Sequence, residues 1–179
     1  MDDVCLTPVS VPATAVRSLL AVRLPVVRLR AHSGPAIDFA SSLDEQRPAL
    51  LNFIFTSCTT VCPPLSQTFA AVQERLGARR ELLQMVSVSI DPEHDTPGRL
   101  RDYAARFGAG SQWRFFTGSA EGVDAVQRAF NVYRPDKMGH TPVTFVRPKG
   151  SRQWVRLDGY ATPDELIHAA FTPLPPSLP

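Results

Sequence analysis

Neither sign of charge predominates in this sequence. Its 19 Lys and Arg residues nearly balance 17 Asp and Glu, leaving a formal charge of +2, with no basic block interleaved with aromatics. Phosphate binding needs a concentrated positive face, so nucleic acid is not an expected partner. Long apolar runs are lacking too. Nothing approaches the about eighteen consecutive apolar residues that suggest a membrane span, and Met1-Asp2-Asp3 is acidic where a signal peptide begins basic. The expectation is a cytosolic protein, or a soluble portion from which an anchor or signal has been removed. Three cysteines are too few for a disulfide framework. Cys5, alone near a terminus, reads as an exposed thiol without a task. There is no internal repeat, and no second ligand pair of the kind a structural zinc site requires.

What is present fits one well-filled core: 179 residues, 44% of them hydrophobic. Residues 1–24 show weak periodicity and read as a loosely attached lead-in. The run Val26 to Arg30 and the stretch Ala36 to Phe39, joined through Ser33-Gly34-Pro35, read as an N-terminal hairpin. Ala49 to Phe55 and Leu82 to Ile90 are continuous apolar runs, as in central strands covered on both faces. Leu65, Phe69, Val72 and Leu76 form one helical stripe that ends at Gly77. Thr96-Pro97 and Ser119 open two further helices, with a short strand at Trp113 to Phe116 between them. Thr141 to Arg147 and Gln153 to Leu157 read as a late hairpin. Thr162-Pro163-Asp164-Glu165 is a capping box that starts a last helix. The order predicts an α/β fold with a central mixed sheet and helices on both faces, in one domain over residues 25–171. A proline-rich tail, residues 172–179, is expected to be extended and unpacked.

The chemistry gathers at Phe55-Thr56-Ser57-Cys58-Thr59-Thr60-Val61-Cys62-Pro63-Pro64, where a buried strand hands over to a helix. Side chains at the carboxyl end of a strand face a crevice in open α/β sheets. A helix start also lowers a thiol's pKa, which matters because the thiolate is both nucleophile and metal ligand. Cysteines four apart on a helical turn share a face, a separation compatible with a disulfide or with one soft ion between two sulfurs. Two thiolates favour Cu(I), whereas Cu(II) wants an additional imidazole. The competing reading is that both cysteines simply pack in the core. Of the four histidines, His32 and His168 read as surface positions and His94 as a solvated loop residue. His140 precedes a predicted strand, and sequence alone does not bring it to the sulfurs. Met138 could lend a weak thioether, though packing or exposure is its ordinary role.

Together these stretches resemble the Sco/SenC family of copper-delivery proteins. Phe55-Thr56-Ser57-Cys58 to Cys62-Pro63 is similar to the family's first signature, and Val88-Ser89-Ile90-Asp91-Pro92-Glu93-His94-Asp95-Thr96-Pro97 to its second. His140-Thr141 resembles the third, and Asp158-Gly159 also fits. The resemblance runs from about Pro25 to Phe171 and implies a thioredoxin-like fold with extra elements. It implies copper, as Cu(I) or Cu(II), held by Cys58, Cys62 and His140 for assembly of a copper centre such as that of cytochrome c oxidase. Some members act chiefly as thiol–disulfide reductants, which would make Cys58 and Cys62 a redox pair and the protein an oxidoreductase. The partners implied are a copper-accepting protein and, for the redox role, a thioredoxin-like reductant. The implied setting is periplasmic or otherwise extracytoplasmic, tethered by an N-terminal segment, with the domain a monomer. Two features bear on the detail. The family commonly has an acidic residue immediately before the histidine, where this chain has Gly139, and Thr141-Pro142 resembles the cis-proline that faces the cysteines in thioredoxins.

Overall fold

A computed structural model of the chain describes residues 15–175. Among the described residues eight strands form one sheet: β1 (Ala15–Leu20), β2 (Arg28–Ala31), β3 (Ala36–Asp38), β4 (Ala49–Ile54), β5 (Gln84–Ser89), β6 (Trp113–Gly118), β7 (Val143–Arg147) and β8 (Trp154–Gly159). Four helices accompany them: α1 (Cys62–Leu76), α2 (Pro97–Arg106), α3 (Ala120–Ala129) and α4 (Pro163–Phe171). The strand order is β1-β8-β7-β4-β5-β6-β2-β3. β4, β5 and β6 are parallel neighbours, and the remaining pairings are antiparallel.

Strict alternation along the central strands makes two cores. Leu50 and Ile54 of β4, Met85 of β5, Trp113 and Phe115 of β6 and Val155 of β8 pack on one face, with residues of α1, α2 and α4. Leu51 and Phe53, Val86 and Val88, Phe116 and Phe145 pack on the other, with Val123 and Val126 of α3. This is the mixed sheet with helices on both faces, and β2 with β3 is the N-terminal hairpin. The helix starts follow local chemistry. Thr96 accepts from the Arg99 N–H, Ser119 from the Gly122 N–H, and Thr162 with Glu165 forms a reciprocal capping box. α1 instead carries Pro63 and Pro64 in its first turn, where no intrahelical N–H is needed, and stops at Gly77, whose φ is +52°.

Several expectations need correction. The lead-in reading of residues 1–24 misses β1, which pairs along its whole length with β8. Its side chains are mostly exposed, so a backbone ladder rather than a buried face holds it, and such a strand leaves no hydrophobic period to read. The second central strand starts at Gln84 and not at Leu82, because 77–82 closes in a 3-10 turn that leaves Leu82 exposed. In the tail, Leu174 packs against the core instead of standing free. The prediction for Cys5 and the remainder of the tail beyond residue 175 lie outside the described residues.

Candidate functional site

β4 ends at Ile54, and the chain turns before α1 begins at Cys62. The turn is held at both ends. The Cys58 N–H donates to the Phe55 carbonyl at 3.1 Å. The Thr56 N–H and hydroxyl donate to the two carboxylate oxygens of Asp95, at 3.0 and 2.5 Å. Asp95 is almost fully buried and takes a third hydrogen bond from the Ser89 hydroxyl at 2.7 Å, so the cysteine turn is fastened to the loop after β5. The expectation that both cysteines ride one helical face is therefore corrected: Cys58 lies in the turn and only Cys62 belongs to α1. They remain neighbours because the Cys62 N–H, at the open start of the helix, points to the Cys58 sulfur at 3.3 Å.

The two sulfurs differ. Cys58 is half-buried and Cys62 is buried completely. Burial pushes the Cys58 thiol up, but backbone donors from Cys62, Thr60 and Val61 outweigh it and hold its pKa below the ordinary value. Burial raises the Cys62 thiol strongly, and its hydrogen bond to Cys58 and the nearby Asp95 charge add to the rise. The pair is thus a more accessible sulfur held below the ordinary thiol range and a recessed one held above it.

His140 reaches this end of the sheet through topology. β7 runs antiparallel beside β4, with Asn52 opposite Thr144, so residues just before β7 lie where β4 ends. A 3-10 turn at Lys137–Gly139 delivers His140 beside Phe55, ring centroids 6.5 Å apart. Cys58 and His140 line one cleft of about 130 Å³ with Phe55, Lys137 and Met138. Burial lowers the His140 pKa, opposed by the Phe53 backbone, so the ring favours its neutral, ligating form. Its Nε2 is buried and, among the described residues, has no hydrogen-bond partner. Cys62 is not among the cleft-lining residues, and no group of three His, Cys, Asp or Glu side chains among the described residues is close enough to hold a metal ion.

The other residues fall out as follows. Met138 is exposed at the cleft. His94 pairs with Asp91 at 2.9 Å and lines a second cavity with His140, away from the sulfurs. His32 is corrected from a surface position: it is half-buried, accepts the Phe115 N–H at 3.1 Å and stacks edgewise on that ring. His168 is exposed on α4. Among the described residues no peptide bond is cis, so Pro142 follows a trans bond, contrary to the thioredoxin-type expectation. A Cβ at Gly139 would meet nothing within 4 Å, so crowding does not exclude an acidic residue there. Asp95 and Lys137 went unmarked as single residues, the first visible only as part of the second signature and the second as one charge in a polar loop.

The sequence model of the SCO1/SenC family matches residues 29–171. The chain belongs to the SCO1/SenC family. It is 37% identical to the SCO1 protein homolog of Bacillus subtilis over 73 residues, 40% of this chain and 38% of that protein. The match thus spans about two fifths of that curated relative's length. The copper-bound structure of Bradyrhizobium japonicum ScoI superimposes with a TM-score of 0.64 at 25% identity, covering 78% of this chain and 91% of that one. The structure of BsSco, in which a disulfide switch was identified and which belongs to the Sco family of cytochrome c oxidase assembly proteins, gives 0.67 at 21% identity, covering 87% and 97%. With these Sco neighbours the fold is the thioredoxin-like one.

Proposed function

We propose that this SCO1/SenC protein carries copper, bound as cargo by the thiolates of Cys58 and Cys62 and the imidazole of His140, and passes it to a protein that assembles a copper centre. The observation that carries this reading is the unpartnered Nε2 of His140 beside the Cys58 cleft. A buried polar atom without a partner costs free energy, so a ligand that accepts it restores the balance. The copper-bound ScoI of B. japonicum supports the cargo. Cys62 contributes its sulfur only after losing its proton, so binding releases a proton there and weakens as pH falls. Three ligands leave a coordination position through which an acceptor can take over the ion. The acceptor we infer is a cytochrome c oxidase subunit, met outside the cytoplasm by a monomeric domain held near the membrane.

A second reading rests on the unequal sulfurs. The Cys58 thiolate attacks a disulfide in a partner copper-site protein, forming a mixed disulfide and releasing one partner thiolate. Cys62 then gives up its proton and attacks the Cys58 sulfur. The Cys58–Cys62 disulfide forms, the second partner thiolate leaves, and two electrons have passed to the partner. A thioredoxin-like reductant would restore the pair. The readings are compatible, because the oxidised pair cannot bind copper.

Titration of reduced protein with Cu(I) and Cu(II) against competing chelators separates them. His140→Ala should lower Cu(II) affinity by at least about tenfold, since even partners behind a ligand are worth that much, and unchanged affinity overturns the histidine's role. Negligible copper retention with rapid reduction of a partner disulfide establishes the second reading instead.

A further inference from the structure

Two cavities meet at His140. One is the cleft that holds Cys58. The other, of about 380 Å³, is lined by Asp91, Glu93, His94, Asp124 and Asp136 among others. Lys137 and His140 line both and so form the partition between an acidic vestibule and the sulfur cleft.

The Lys137 ammonium lies 2.6 Å from Asp91 Oδ2 and 5.5 Å from the Phe55 ring centroid. Asp91 is itself fixed. Its N–H donates to the Ser89 hydroxyl at 3.0 Å, its carbonyl accepts from the His94 and Asp95 N–H groups at 3.1 and 2.8 Å, and its Oδ1 meets His94 Nδ1. Only 8% of the Asp91 side chain is exposed, which sets this pair apart from an ordinary surface ion pair. Burial pushes the Asp91 carboxyl up, but Lys137 and His94 outweigh it and hold it below the ordinary range. Asp91 in turn raises the Lys137 pKa, so both partners are ionised at neutral pH.

From Lys137 to His140 the backbone is a single tight turn. The Asp136 carboxylate accepts the Met138 N–H at 2.9 Å, the Asp136 carbonyl accepts the Gly139 N–H at 3.0 Å, and the Lys137 carbonyl accepts the His140 N–H at 3.1 Å. A constraint on Lys137 is therefore passed directly to the backbone that carries the imidazole. The residue next to the histidine, Gly139, has no side chain to help.

We infer that Lys137, through its ion pair with Asp91, is a positioning residue that holds His140 at the Cys58 cleft. The inference rests on the reading of His140 as a ligand, and its test separates the two. In reduced, metal-free protein, Lys137→Gln should speed hydrogen exchange at the His140 amide by about tenfold, with amides of β4 unaffected and Lys137→Arg near wild type. This readout needs no copper. Unchanged exchange in Lys137→Gln, or equal acceleration in Lys137→Arg, overturns the inference. With metal, Lys137→Gln should lower Cu(II) affinity about tenfold and alter its spectrum, with Cu(I) affinity within about twofold of wild type. A double Lys137→Gln, Asp91→Asn protein should be no worse than the worse single variant, whereas additive losses would show that the two act separately and overturn the pairing. If His140→Ala leaves Cu(II) binding intact while Lys137→Gln still frees the His140 amide, the ligand reading fails and the positioning stands.

Discussion

The two faces of the sheet both carry clustered aromatic rings and differ in the hydrogen bonds between their buried side chains. On the face covered by α3, aromatic rings meet one another: Phe130 lies 5.8 Å from Phe53, 4.7 Å from Phe145 and 5.1 Å from Trp154, centroid to centroid. On the face covered by α1, α2 and α4 rings meet as well, Trp113 lying 5.6 Å from Phe69 and 5.0 Å from Phe115, but hydrogen bonds between buried side chains are laced through the packing. The Trp113 indole N–H donates to the Ser87 hydroxyl at 3.0 Å, and that hydroxyl donates to Asn52 Oδ1 at 2.6 Å. Ser66, one turn into α1 from Cys62, meets the Tyr103 hydroxyl of α2 at 2.8 Å. Ring packing stabilises without fixing direction very closely, whereas buried hydrogen bonds hold one register and penalise every other. The face that must present a sulfur at a defined place is the one with hydrogen bonds between buried side chains.

The sharpest way to break this contrast is to empty the α3 face. Phe130 is fully buried, and Phe130→Ala should cost about 3–5 kcal/mol, the usual range for deleting a buried phenyl ring. Urea denaturation measures the loss. If the faces are separable, Cys58 alkylation in the folded variant stays within about twofold of wild type, since local site opening and global stability are distinct quantities. A large change in native reactivity would show that the α3 face reaches the site.

A smaller effect is expected on the polar-laced face, with a different signature. Ser87→Ala removes little volume but leaves the Trp113 N–H and Asn52 Oδ1 buried without partners, at a cost of about 1–3 kcal/mol. Asn52 Nδ2 already lacks a partner among the described residues, so the amide has no alternative orientation that satisfies both ends. Denaturation gives the energy, and a shift in Trp113 emission reports the freed indole. Loss of stability without any change at Trp113 would mean that the hydrogen bonds do not set the packing of this face.

The sequence carried much of this architecture in local signals. β4 and β5 announce themselves as apolar runs, and Thr96, Ser119 and Thr162 cap the helices where their spacing says they should. The polar members of those runs, Asn52 and Ser87, look like interruptions in a sequence and become a network only when β4 and β5 lie side by side, where they are direct partners. β1 left no trace because its exposed side chains follow no period. His140 could be singled out as a candidate, but its arrival beside Cys58 depends on β7 inserting antiparallel next to β4, a choice made by pairings far apart in the chain. The Lys137–Asp91 pair spans 46 residues and belongs to no local pattern, so only the folded chain brings it into view.

The smallest effect on the fold, and the finest test of the sulfur-bearing face, is a pH series on the two thiols. Alkylating reagents take the thiolate, so the pH at which each cysteine reacts follows its pKa. Cys58 lies below its ordinary value of 9.0 because backbone N–H groups at the start of α1 favour the charged form more than burial disfavours it. Lowering a thiol's pKa moves its thiolate population to lower pH. Iodoacetamide modification of Cys58 in the reduced protein should therefore rise with a midpoint below 9.0. Cys62, raised chiefly by burial and then by its hydrogen bond to Cys58, should stay unmodified across the same range. Mapping the modified peptides by mass at each pH reads both cysteines at once. Cys58→Ala removes the second contribution and leaves the first, so Cys62 should remain the slow thiol in that variant too. Were Cys62 to react first, or to become fast once Cys58 is gone, the inequality between the sulfurs would come from their mutual contact and not from the face on which α1 buries one of them.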